Sequence, residues 1–115
     1  MNNALFFFKS AEEVLVHMQS HKNEPPFIII SDVNLGKKDG FQLRQALIDD
    51  VSKKYKSIPF IFWSVKASEE QIKKAYDLSA HGFFIKENTI GEMKKTFTTI
   101  IEYWLKSKAP NKKTS

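Results

Sequence analysis

A chain of 115 residues has room for one domain, and 42% hydrophobic against 27% charged residues is a mix that buries a core and argues against wholesale disorder. The absence of cysteine excludes disulfide frameworks and thiolate metal sites, and apolar runs such as those at 5–8 and 27–30 are far short of the ~18 residues a membrane helix needs. The net charge of +5 raises nucleic acid as a partner, but the acid-free stretch 106–115 carries Lys106, Lys108, Lys112 and Lys113, so the basicity is largely a tail.

Short apolar runs alternate with amphipathic segments along the chain, the pattern of βα units feeding a parallel sheet. Residues 4–8 predict a first strand, and Ser10 with Glu13 predicts a capping box opening a crossover helix over 11–21. A second strand is predicted at 27–31. A helix over 41–55 follows, with Leu43, Ala46, Leu47 and Val51 as its inner face and Gly40 loosening the turn before it. Residues 60–63 and 83–85 predict two more strands, each followed by a capped helix: Ser68 pairs with Gln71, and Thr89 with Glu92. In the last helix Met93, Phe97, Ile100, Ile101 and Trp104 fall on one stripe, read as core. No internal repeat is present. The reading is one α/β domain over residues 4–105, with a basic flexible tail at 106–115.

In open parallel sheets functional groups gather at the carboxyl ends of the strands. There the second predicted strand delivers Asp32, the third Ser64 and the fourth Lys86. A carboxylate that attacks phosphorus, with a hydroxyl and an ammonium that bind phosphoryl oxygens, makes a phosphoryl-transfer site. Each residue alone is ordinary for a strand end, where aspartate caps turns and lysine snorkels to solvent. Their shared placement is what carries the reading. His17, His21 and His81 are too dispersed to form a metal site.

Over residues 4–104 the sequence resembles the receiver domain of bacterial two-component response regulators. The stretch Phe27-Ile28-Ile29-Ile30-Ser31-Asp32-Val33-Asn34-Leu35 is similar to the strand that bears the family's phospho-accepting aspartate, and Gly40 stands where the family has a loop glycine. Pro59-Phe60-Ile61-Phe62-Trp63-Ser64 resembles the strand ending in the switch hydroxyl, and Gly82-Phe83-Phe84-Ile85-Lys86 the strand carrying the switch aromatic and the lysine. The resemblance implies a CheY-like, flavodoxin-like doubly wound parallel sheet, N-terminally truncated, with about four strands and four helices. It implies Asp32 as phospho-acceptor, Ser64 and Lys86 as its partners, and Ser64 and Phe83 as switch residues.

Three departures from the family follow. No acidic pair precedes Asp32, so Mg²⁺ would rest on Asp32 and the Asn34 carbonyl and bind weakly or not at all. Gly36 and Glu87 stand where the family places prolines. The chain starts at what looks like the family's second strand; residues 4–8 are then expected to pair directly with 27–30 in one chain, with self-association as a secondary effect.

The implied function is phosphorelay signal transduction: a histidine kinase or phosphotransfer protein phosphorylates Asp32, and a surface that binds a downstream protein partner changes. The alternative is a non-phosphorylated pseudo-receiver acting as a docking domain. An aspartyl-phosphate hydrolase fits less well, because Asn34 occupies the position of its second aspartate. Nucleic acid and membrane are not expected partners, no enzymatic output is expected, and the compartment expected is the cytoplasm.

Overall fold

The computed structural model describes residues 11–21, 26–34 and 39–108. Its elements alternate as α1 (Ala11–Ser20), β1 (Ile29–Asp32), α2 (Gly40–Asp49), β2 (Phe60–Ser64), α3 (Glu69–Asp77), β3 (Gly82–Ile85) and α4 (Ile90–Lys106). The strands form a parallel sheet in the order β1-β2-β3, with Asp32 level with Trp63 and Trp63 level with Phe84. The expected strand at 4–8, its pairing with 27–30 and the Ser10 cap lie outside the described residues.

Period-two alternation along the central strand divides the core. Phe60 and Phe62, both 0% exposed, point into the cluster formed by Ala11 and Met18 of α1, Phe41, Leu43 and Leu47 of α2, and Ala75 of α3. Trp63, which follows Phe62, faces the opposite side, where its ring stacks on Phe97 of α4 at 5.8 Å. The α4 stripe is seated as its spacing predicts, with Ile100 buried, but Met93, Phe97, Ile101 and Trp104 are only half-buried.

Two boundaries depart from expectation by more than one residue, for local reasons. β1 starts at Ile29, not at 27, because its ladder begins with Ile29 N donating to Pro59 O (2.9 Å), and Pro59 has no N–H to return to a longer strand. α2 ends at Asp49, six residues before the predicted end at 55. Asp50 leaves the helical region (φ −57°, ψ 131°), and its carboxylate accepts from Ser52 N (3.0 Å), offering the chain a turn in place of another helical bond. Val51, expected on the inner face, is therefore 94% exposed. Tyr55 still reaches the core through this loop, and its hydroxyl donates to Met18 O (3.2 Å).

The caps follow the sequence closely. Ser68 and Gln71 form the full reciprocal box at α3, and Thr89 accepts from Glu92 N at α4. A further reciprocal box, Asp39 with Gln42, opens α2 and carries the same D-x-x-Q signature in the sequence. At its other end α3 closes with Ser79 N donating to Tyr76 O and Ala80 N to Ala75 O, Ser79 sitting in the left-handed region at φ 59°.

His81 follows this closure and binds β2 twice: its N–H donates to Phe60 O (2.8 Å), and its Nδ1 accepts from Phe60 N (3.1 Å). Burial, and then the nearby positive charge of Arg44, lower its pKa from the usual 6.5. A protonated Nδ1 cannot accept the Phe60 bond. The fold therefore prefers neutral imidazole, so the His81 contribution is complete above pH 6.5 and is lost as the pH falls from there through the lower folded pKa. Thermal melts between pH 7.5 and 5 are expected to show this acid-side loss, and His81→Gln to remove it.

Candidate functional site

Three strand-end residues define the site. Asp32 is the last residue of β1, and Lys86 follows the last residue of β3. Although 54 positions separate them, Lys86 Nζ donates to Asp32 Oδ2 at 2.5 Å, with both side chains about one-third exposed. The in-register ladder makes this possible: Asp32 is level with Trp63 and Phe84 across three strands, and a lysine two residues beyond Phe84 returns over the central strand to β1. Backbone bonding anchors Lys86 as well, its N–H donating to Ser64 O (2.7 Å).

The carboxylate is held from its own loop too, with Asn34 N donating to Asp32 Oδ1 (3.1 Å). Ser64 ends β2 beside the pair and is 3% exposed, yet its hydroxyl donates to Lys66 O (2.8 Å) and not to Asp32. Phe83 turns the other way and packs on Phe62 with ring centroids 5.9 Å apart. The structure thus brings together Asp32 and Lys86, with Ser64 adjacent, while Phe83 faces the core.

Behind Asp32 the first residue of α2 presses against β1. Gly40 N donates to Val33 O (2.6 Å), and a Cβ at Gly40 would lie 2.3 Å from Asp32 O and 3.1 Å from Ser31 Oγ. The Ser31 hydroxyl donates to that same Asp32 carbonyl (2.8 Å). Only a glycine permits this approach. Gly40→Ala is expected to push α2 off β1, destabilising the fold by about 1–3 kcal/mol and moving the Asp32 loop. Denaturant unfolding, with amide shifts at Asp32 to Asn34, would measure both effects.

The donor set does not fit a divalent cation. No group of three or more His, Asp or Glu side chains comes together among the described residues. The Asp32 carboxylate already has an ammonium on one oxygen and an N–H on the other, whereas Mg²⁺ requires oxygen ligands in near-octahedral array. His17 and His21, read from sequence as dispersed, stack at 4.1 Å at the C-terminal end of α1, without a third such ligand among the described residues.

Residues 3–98 match the response regulator receiver domain family. The chain belongs to that family. The receiver fold also matches the crystal structure of the phosphorylated cyanobacterial phytochrome response regulator RcpA at 25% identity and TM-score 0.79, covering 90% of this chain and 76% of that one. The Mn²⁺-bound response regulator Rcp1 aligns at 22% identity and TM-score 0.81, over 96% of this chain and 81% of its own. Among curated proteins, the probable methanogenesis regulatory protein FilR2 of Methanothrix harundinacea is 26% identical over 80 residues, 70% of this receiver; the match spans about half (50%) of that relative's length. No helix among the described residues is long and apolar enough to cross a membrane.

Three contributors were missed in the sequence. Arg44 of α2 is buried, Thr96 of α4 donates to Glu87, and Asp39 caps α2. Only Asp39 had a readable signal; the other two depend on contacts between distant elements.

Proposed function

We propose that this receiver accepts a phosphoryl group on Asp32 from the phosphohistidine of a cytoplasmic histidine kinase or phosphotransfer protein. The observation that carries the reading is the Lys86–Asp32 contact, which holds an ammonium where negative charge would build up. An Asp32 carboxylate oxygen forms the bond to phosphorus as the N–P bond breaks, and the released imidazole takes up a proton. Lys86 Nζ then shifts from carboxylate to phosphoryl oxygen. Ser64 exchanges its bond to Lys66 O for one to the phosphoryl group, pulling on the loop that leads into α3. The surface built from α3, β3 and α4 changes with it, and the output is contact with a downstream protein. No step is routed through a metal ion, since the described residues around Asp32 form no group of three or more such ligands.

Incubation with acetyl phosphate or phosphoramidate, with and without excess Mg²⁺, is expected to add one phosphoryl group to the wild type by intact mass and none to Asp32→Ala. Lys86→Ala is expected to slow the addition while melting near the wild-type temperature, because a one-third-exposed ion pair supports little core. Identical masses for wild type and Asp32→Ala under every condition would remove phosphorylation from the reading. A second reading, a docking pseudo-receiver that never carries phosphate, is favoured by the lack of a metal-holding acidic group among the described residues. Partner binding unaffected by Asp32→Ala would support it.

A further inference from the structure

The geometry points to Glu87 and Thr96 as a positioning pair that aims Lys86 at Asp32. This rests on the phospho-acceptor reading for its consequence, though not for its geometry. Four residues, 86–89, connect the end of β3 to the first turn of α4, and Glu87 comes directly after the lysine. Its carboxylate accepts a hydrogen bond from the Thr96 hydroxyl, both residues being half-buried. Thr96 lies in the second turn of α4, so the connector is fastened to the body of the helix as well as to its N-cap at Thr89.

The next residue explains why this attachment is a fixed point. Phe97 stacks on Trp63 of the central strand at 5.8 Å, which seats that turn of α4 on the sheet. Contacts therefore run from Trp63 through Phe97 and Thr96 to Glu87. On the other side, Lys86 N is bonded to Ser64 O (2.7 Å). With its own N–H fixed to β2 and its successor's side chain fixed to α4, the Lys86 backbone loses the freedom to rotate. Its long side chain, which carries four rotatable bonds, then starts from a defined origin. A connector without this attachment leaves Nζ to sample solvent, since a partly exposed ion pair does not by itself compensate the ordering of a lysine.

The site places no other use on Glu87. Among the described residues it does not join two or more other His, Asp or Glu side chains in a metal-holding group.

The test uses Thr96→Val, Glu87→Ala and Glu87→Gln, the last keeping an oxygen acceptor for the hydroxyl. The primary readout is the ¹⁵N spectrum of the lysine ammonium groups, in which the Asp32-bound Lys86 signal is identified by its loss in Lys86→Arg. Thr96→Val and Glu87→Ala are expected to shift that signal to the position of free lysine, and Glu87→Gln to restore it. The double variant Glu87→Ala/Thr96→Val should be no worse than either single one. Phosphorylation by acetyl phosphate is expected to slow roughly ten- to hundredfold in the two disrupted variants, with Glu87→Gln near wild type. An unchanged Lys86 signal in Thr96→Val and Glu87→Ala would overturn the assignment. So would a loss of signal that Glu87→Gln fails to restore while the melting temperature stays at the wild-type value. Failure of wild type to take up phosphate removes the phospho-acceptor reading alone, because the ammonium spectrum still decides the positioning role.

Discussion

Phe62→Ala is expected to destabilise the protein by about 3–5 kcal/mol, the usual cost of truncating a fully buried phenylalanine. The side chain is 0% exposed and lies at the centre of an aromatic group, with ring centroids 5.1 Å from Phe41, 5.0 Å from Phe60 and 5.9 Å from Phe83. Those neighbours come from α2, β2 and β3, so the cavity opens where the elements meet and cannot collapse by moving one side chain. Against a domain stability of about 5–15 kcal/mol, a loss of this size removes a large share of the total. Urea unfolding would measure it as a fall in the midpoint with little change in slope. Phe97→Ala and Trp104→Ala, which the amphipathic stripe alone would rank equally, should each cost less, because both side chains keep part of their surface in water.

Arg44→Ala is expected to cost about 3 kcal/mol or more, through a different mechanism. Arg44 is 1% exposed; its Nε donates to Leu78 O (2.9 Å) and its Nη2 to Ser79 O (3.1 Å), with the guanidinium 5.5 Å from the centroid of Phe60. It thereby satisfies the two carbonyls that follow α3, at the turn where Ser79 takes a positive φ. Alanine leaves both carbonyls without their donor and a cavity beside Phe60. The wild-type arrangement carries its own cost: Nη1 has no partner, and burial lowers the guanidinium pKa from its usual value. Arg44→Met, which fills the space of the stem without burying charge, is therefore expected to be less destabilising than alanine by about 1 kcal/mol or more. Urea midpoints of the two variants, with hydrogen exchange at Ser79 to His81 reporting on the end of α3, would test the ranking. Equal losses would mean that packing volume contributes nothing and the carbonyl bonds everything.

The alternation of strands and helices, the start of β2 and the caps at Ser68 and Thr89 were legible in the sequence, because each depends on interactions within a few residues. The early end of α2 was also local in cause, but it was hidden: Asp50 and Ser52 compete with the helix through side-chain bonds that an apolar count at Val51 does not register.

Sequence alone placed Asp32, Ser64 and Lys86 at strand ends, since a strand's end is marked by where its apolar run stops. Only the tertiary structure decided which of them touch. The 2.5 Å contact of Lys86 with Asp32 depends on the register of three strands, and the Ser64 hydroxyl donates to Lys66 O of its own loop. Glycine 40 was readable as a turn residue, but its physical reason, the carbonyl of Asp32 where a Cβ would be, exists only once α2 is packed on β1. Arg44 shows the limit most clearly: a charged residue on a helix reads as solvent-facing, yet it is buried with its guanidinium donating to two carbonyls 34 and 35 residues away. Local bonding and hydrophobic periodicity are written within short windows of sequence, whereas partners for long polar side chains are chosen by the packing of distant elements.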